Sequence, residues 1–509
     1  LGIFSNKNHH YLGLITQAAK IIQIRKDIIY KVVSCEVVPI HQEEDSESLY
    51  FKKLIINGLE HCNMYFSETW DLTQTYIQHR YPPRQSSREE FIWNINALKQ
   101  LQSIWQSADI CQKVIAGDIT LSHHLRQNYP PERPTDDLLM IISRRSNKNG
   151  GCHNWSRGCD TEGNAANFIE TEELYFVDKN NFISHIEISG SPPLFWSQYP
   201  TMKPSRPFHY GSEHENHRRF QEHFEKLKSM YRTLNGHSGP KITLVSLLSD
   251  HGKESVMNNK IANQAKQCQI DFKHLDINEL MKIPNAISNS IEDIFFEKND
   301  NTFTNESNCL ADATIVENDK VKVYQQNLLR VNCASSLDRT SVFMSIVNEK
   351  IMKRKLNQYF HENQTDPFDS YIHRKLWNER ANIIAQQYAG TPGMKIDMIG
   401  TGNRTLGGKI HDIFLQVYRF GSSVAFEGRL TDSINAVLQE RKFTSFNHRS
   451  LITLIFLFLF LIIQYFYVLL LEGQRQASHT WNDSIKEIID HPHIDDLRDA
   501  DEFQDSDFK

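Results

Sequence analysis

The apolar and polar positions along the chain change rhythm near residue 125. Before it, YLGLI (11–15), IIYKVVSCEVVPI (28–40) and FKKLIINGL (51–59) are short runs rich in β-branched residues, which predict strands. HQEEDSES (41–48) separates two of them as an acidic loop. WNINALKQLQSIWQ (93–106) repeats its apolar residues every three to four positions and predicts an amphipathic helix. The proline-bearing LSHHLRQNYPPERPTDD (121–137) reads as a connector. Beyond it strands and helices alternate: LLMIISRR (138–145) and KITLVSLLS (241–249) as strands, HENHRRFQEHFEKLKSMYRTL (214–234) as a charged amphipathic helix. The polar EKNDNTFTNESN (297–308) predicts a loose loop. The pattern predicts an α/β fold: a β-rich module over 1–125 against an α/β domain over 126–440.

Leu451–Leu471, LITLIFLFLFLIIQYFYVLLL, contains no charged residue. As a helix it would reach roughly 30 Å, the thickness of bilayer hydrocarbon. A transmembrane helix is therefore expected at 451–471, followed by an acidic tail at 472–509. Arg441, Lys442 and Arg449 precede it and only Arg475 follows closely. That asymmetry places residues before 451 on the cytosolic side and Asn482-Asp483-Ser484, a glycosylation sequon, across the membrane. The chain starts at Leu1 without an initiator Met, so its first module is expected to be truncated at the start.

Composition narrows the chemistry. Lys and Arg number 56 against 62 Asp and Glu, a formal charge of −6, which gives no case for a nucleic-acid partner. The eight cysteines lack the spacing of a zinc site or a disulfide framework and fit a reducing compartment. The 23 histidines form no ligand spacing with carboxylates, so neither a metal nor another cofactor is expected.

The chemistry gathers in RVNCASSLDRTS, Arg330–Ser341. Cys333 and Arg339 stand six positions apart, between NLLRV, a predicted buried strand, and SVFMSIVNEKIMKRKL, a helix with Phe343, Val347 and Ile351 on one stripe. A loop from a strand end to a helix N-terminus can turn successive N–H groups inward around an anion and lower a thiol pKa. Cys333 is then a candidate nucleophile and Arg339 a bidentate clamp for phosphoryl oxygens. Thr340 is placed to hydrogen-bond the sulfur. A buried, inert cysteine fits the loop alone equally well.

Four segments in order resemble the Sac phosphoinositide phosphatase family, whose loop reads Arg-x-Asn-Cys-x-Asp-Cys-Leu-Asp-Arg-Thr-Asn. Here Arg330, Asn332, Cys333, Leu337, Asp338, Arg339 and Thr340 match it. SRRSNKNGGCHNWSRGCDTEGNAANFIETEE (143–173), GSPPLFWSQ (190–198) and QYAGTPGMKIDMIGTGNRTLGG (387–408) are similar to the other three family segments. The likeness runs from about Leu1 to about Leu438. It implies a Sac catalytic domain that hydrolyses monophosphorylated inositol lipids, phosphatidylinositol 4-phosphate above all and the 3-phosphate second, through a cysteinyl-phosphate. With the apolar segment it implies the membrane-integral type of the endoplasmic reticulum and Golgi. Those relatives carry two hydrophobic segments; here one is visible. The lipid and the bilayer are the partners implied, and nothing points to a protein partner.

The resemblance assigns Asn332, Ala334, Ser335, Ser336 and Leu337 to the phosphate loop. Lys395 belongs to the last segment, and Arg144 and Arg145 are candidate headgroup ligands, with Lys148 and Arg157 nearby; structural ion pairs are the alternative for these arginines. Ser335 stands where the family has aspartate, Ser336 where it has cysteine, Ser341 for asparagine and Ser189 for arginine. The first matters most, because a placed carboxylic acid contributes about 10² to 10⁴ in rate and a serine hydroxyl is too weak an acid to replace it. Asp338 and Asp397 are the substitutes at hand. A phosphoinositide-binding protein that has lost turnover is the second reading. A protein-tyrosine phosphatase is a third, disfavoured by the other three segments.

Overall fold

The computed structural model describes residues 1–6, 9–40, 45–81, 86–105, 111–123, 137–199, 206–234, 239–296, 309–359 and 368–439. Their strands are β1 (Gly2–Asn6), β2 (His9–Ile24), β3 (Asp27–Pro39), β4 (Met64–Phe66), β5 (Ile115–His123), β6 (Leu138–Arg145), β7 (Ile169–Phe176) and β8 (Phe182–Ser189). There follow β9 (Trp196–Ser197), β10 (His209–Tyr210), β11 (Lys241–Ser246), β12 (Asp271–His274), β13 (Thr314–Glu317), β14 (Lys320–Val323) and β15 (Asn327–Asn332). The helices are α1 (Ser46–His61), α2 (Tyr76–Arg80), α3 (Ile95–Ile104), α4 (Glu213–Met230), α5 (Gly252–Gln267) and α6 (Ile277–Leu280). Further along come α7 (Ala286–Phe295), α8 (Asp338–Tyr359), α9 (Ser370–Ala389), α10 (Ile396–Thr401), α11 (Leu406–Ala425) and α12 (Glu427–Leu438).

The fold is mixed α/β around one large sheet. β1 to β8 lie side by side in chain order, each antiparallel to the next. β15 then pairs parallel to β8, β11 parallel to β15 and β12 parallel to β11. The parallel ladder forms because each return to the same edge passes through helices, as parallel pairing requires. Its carboxyl ends therefore open on one crevice, where α/β sheets place ligands.

β6 shows why the middle of the sheet reads as a continuous apolar run. Leu138, Met140 and Ile142 pack into one core with Phe220, Phe224 and Leu227 of α4 and Met257 and Ile261 of α5. Leu139 and Ile141 face the opposite core with Val342, Phe343, Val347 and Ile351 of α8 and Trp377 of α9. Both faces are covered, so alternation vanishes. The stripe anticipated on α8 is the face that packs.

FKKLIINGL, expected as a strand, is helix α1. Phe51, Leu54, Ile55, Gly58 and Leu59 are its buried residues, a spacing of three and four. The Asp45 carboxylate accepts the Ser48 N–H at 2.7 Å and caps the helix start, so part of the expected acidic loop is a cap. α12 crosses α1 at Gly58, where an added Cβ would lie 2.4 Å from the Ser433 carbonyl oxygen. Helix α3, strands β6 and β11 and helix α4 fall on the segments that predicted them. The 121–137 connector starts within β5, and its residues 124–136 lie outside the described residues, as do 297–308. So do the apolar stretch 451–471 and the tail; among the described residues no helix is long and apolar enough to cross a membrane.

Arg144 and Arg145 are not at a headgroup site. Both are buried on β6. Arg144 donates to Glu170 at 3.0 Å, to Glu172 at 2.7 Å and to the carbonyls of Leu72 and Gln74 at 2.6 and 2.9 Å. Burial pushes the Glu170 carboxyl up, but Arg88 and Arg144 outweigh it and hold it below its ordinary range. Arg145 donates to the Gly151 carbonyl at 2.8 Å and lies over the rings of Trp93 and Tyr388. Both arginines are buried and donate to groups inside the protein, which is the physical reason the headgroup role fails.

Removing one partner of such a network strands the other charges. Arg144→Met should lower unfolding stability by about 3–5 kcal/mol in denaturant titrations followed by tryptophan fluorescence.

Candidate active site

Cys333 follows β15 directly and α8 begins at Asp338, so residues 333–337 join the carboxyl end of a central parallel strand to a helix N-terminus. Two side chains set the shape of this loop. The Arg157 guanidinium donates to the Ala334 carbonyl at 2.7 Å, and the Asn167 amide donates to the carbonyls of Ser335 and Ser336 at 3.4 and 3.3 Å. Ser336 takes a left-handed φ of 52° and its N–H donates to the Cys333 carbonyl at 3.2 Å. With three successive carbonyls engaged from outside, the amide edge turns toward the sulfur, and the Leu337 N–H reaches it. The Leu337 side chain packs away among Ile169, Ile384 and Tyr388.

The thiol is buried, which raises its pKa. Arg339, the Thr340 hydroxyl and the Leu337 N–H overcome that effect and hold Cys333 below the ordinary cysteine range. Ser335 places its hydroxyl 3.9 Å from the sulfur. Asn332 is buried immediately before the nucleophile, and neither atom of its side-chain amide meets a partner among the described residues. Arg330 lies one turn of the strand earlier and does not face the site. It donates to the Gly190 carbonyl at 3.1 Å, to Ser191 at 2.8 Å and to His223 at 3.1 Å. That ties β15 to the GSPP turn after β8.

Arg339 is held by a residue that sequence reasoning missed. Glu254, in the first turn of α5, accepts its two terminal nitrogens at 2.6 and 2.8 Å. Glu254 is itself fixed by the Ser249 N–H at 2.9 Å. Burial raises the Glu254 pKa, but Arg339 more than reverses this and keeps it ionised. Residues 254 and 339 lie far apart in the chain, and a single Glu in a helix carries no local signal. Only the parallel pairing of β11 with β15 brings them together.

Neither candidate acid substitute faces the sulfur as a free carboxyl. Asp338 accepts the Met394 N–H at 2.7 Å and the Arg419 guanidinium at 2.9 Å, and these hold it below its ordinary range against the effect of burial. Asp397 accepts Arg404 and the Thr405 N–H, the latter at 2.7 Å. Lys395 has a left-handed φ of 63°, its N–H donates to Asp412 at 3.0 Å and its charge lies near Asp338. The 391–412 segment is thus pinned beside the loop by Asp338 and Arg419.

Further cations surround the crevice. Arg157 also donates to Gln198 at 3.0 Å and pairs with His153 at 2.7 Å. Burial, and then Arg157, Arg419 and Arg206, keep His153 well below its ordinary pKa, hence neutral and able to accept that bond. Arg206 donates to Ser423 of α11 at 2.9 Å. An anion at the loop would meet fixed positive charge without needing a metal ligand set.

The thiol should titrate accordingly. Difference absorbance at 240 nm between the protein and Cys333→Ser should show a midpoint below that of a free cysteine. Arg339→Gln removes the stabilising charge and should raise it. Glu254→Gln removes an anion that opposes the thiolate and frees Arg339, so the midpoint should fall further.

The chain is similar to known proteins over most of its length, and the family match ends before the Cys333 loop. The family model described as "SacI homology domain" matches residues 1–282. An uncharacterised protein of Schizosaccharomyces pombe is 26% identical over 482 residues, covering 88% of this chain and 75% of its own length. The phosphatidylinositide phosphatase SAC2 of Danio rerio is 26% identical over 457 residues, 80% of this chain but 39% of that protein. The phosphatidylinositol-3-phosphatase SAC1-A of Danio rerio is 27% identical over 466 residues, 84% of this chain and 73% of that protein. The family match spans more than half of the sequence, and the chain belongs to the SacI homology domain family.

Proposed function

We propose that the protein is a phosphoinositide phosphatase that cleaves the phosphate monoester of a monophosphorylated inositol lipid, phosphatidylinositol 4-phosphate first and the 3-phosphate second. The observation that carries this reading is the depressed Cys333 thiol beside a guanidinium at a strand-to-helix loop. The names of SAC2 and SAC1-A of Danio rerio support the substrate class. The proposed setting is the endoplasmic reticulum and Golgi membrane, with the catalytic residues facing the cytosol and 451–471 as anchor.

In the first step the Cys333 thiolate attacks phosphorus, an S–P bond forms and the bond to the inositol oxygen breaks. Arg339 and the loop amides bear the charge on the equatorial oxygens. The departing alkoxide takes its proton from water, because Asp338, Asp397 and Glu254 are each committed to arginines. In the second step water attacks phosphorus, inorganic phosphate leaves and the thiolate returns, with Thr340 stabilising the sulfur. This route keeps nucleophile and oxyanion stabilisation and lacks the placed acid, so slow turnover is the expected signature.

The same commitment of carboxylates favours one alternative, a membrane-associated protein that binds phosphoinositides without turning them over. Phosphate release from short-chain phosphatidylinositol 3-, 4- and 5-phosphates, measured with malachite green, separates the two. The wild-type protein should release phosphate and Cys333→Ser should lose it; equal rates reject the enzyme. Ser335→Asp puts a carboxyl where the hydroxyl now lies 3.9 Å from the sulfur. It should raise kcat by about 10² or more in the enzyme, and revive turnover in the binder.

A further inference from the structure

Helix α11 is amphipathic the wrong way round for a helix that only packs on a protein. Leu406, Ile410, Ile413 and Val417 are 76%, 48%, 60% and 46% exposed. Their spacing of four, three and four puts them on one stripe. The opposite side buries polar groups: Asp412, Arg419, Ser422 and Ser423. Those buried groups belong to the phosphate site. Arg419 grips Asp338 at the start of α8, and Ser423 receives Arg206. One helix therefore lines the site on one face and offers four aliphatic side chains to the outside on the other.

Little charge lies on α11 beside that stripe. The sole acid of α11 is Asp412, buried against Arg404 at 2.8 Å and the Lys395 N–H. Lys409 and His411 stand on the first turns of the helix, and Tyr418 further along. A groove of about 570 Å³ lies at the N-terminal end of α11, and most cations lining it are paired: Lys282 with Glu279, Lys350 with Glu292, Lys353 and Arg374 with Glu349, and Arg404 with Asp397 and Asp412. Four exposed aliphatic side chains with the exposed Lys409 beside them suit a bilayer surface that carries anionic headgroups. An uncharged 21-residue run starts at Leu451, twelve residues after Gln439, within reach of about 40 Å for an extended chain.

We infer that α11 is a bilayer-docking face: Leu406, Ile410, Ile413 and Val417 enter the acyl boundary of an anionic membrane and set the phosphate loop against lipid headgroups. The role in turnover rests on the phosphatase reading; the docking itself does not. The test uses the full chain reconstituted into phosphatidylserine-containing vesicles. Ile410→Asp/Ile413→Asp should cut hydrolysis of vesicle-embedded phosphatidylinositol 4-phosphate tenfold or more and leave hydrolysis of its water-soluble short-chain form within twofold. Independently of turnover, Ile413→Trp should gain fluorescence that acyl-brominated lipids quench. Val33→Trp, on β3 at the far side of the sheet, should not be quenched. Quenching at 413 with no turnover on either substrate rejects the phosphatase reading and upholds docking. An unquenched tryptophan at 413 overturns the proposal, whether sedimentation shows a second copy over the face or another segment of the chain covers it. Undiminished vesicle turnover by the aspartate pair overturns it too.

Discussion

The Arg339 guanidinium is held between two anions, the Cys333 sulfur and the Glu254 carboxylate. A long side chain in water samples many rotamers; here the fork is fixed before any ligand arrives, so its ordering is already met by the fold. The anchor of that fork is α5, which follows β11, while the sulfur follows β15. The GSPP turn after β8 holds the strand between them through Arg330. Three parallel strand ends thus meet at one phosphate-sized space, and the sheet exists in this register or the site does not form.

Charge at the site is balanced by pairing. Asp338 meets Arg419, Asp397 meets Arg404, Glu254 meets Arg339, and burial keeps His153 uncharged. Around the sulfur lie the loop amides and the positive field of Arg157 and Arg206. Such a site favours an incoming dianion over water. It also leaves the nearby carboxylates, Asp338, Asp397 and Glu254, engaged by arginines rather than turned to a leaving group.

The phosphate loop was legible because its chemistry is local: a nucleophile, an arginine and a hydroxyl within eight residues, bounded by two apolar patterns. The β6 strand and α4 were legible for the same reason. α1 was misread because the β-branched Ile55 and Ile56 outweighed a period of three and four that only burial makes evident. Arg144 and Arg145 looked like ligands because a sequence shows charge but not depth. Glu254 left no trace, and Asn167 stood within the 143–173 likeness without an assigned role, since each acts on the loop from a remote stretch of chain that sheet pairing brings close.

The meeting of α12 with α1 at Gly58 has a bearing on how the chain is made. Ile434, Ala436, Val437 and Leu438 complete the same core as Phe4, Tyr11, Phe51 and Leu54. Synthesis delivers the first group some four hundred residues after the second. The nascent amino-terminal layer therefore leaves the ribosome with an open apolar side, and its closure waits for α12 to emerge. A pause in translation before residue 438 prolongs that exposure, which makes this stretch the natural client of a chaperone.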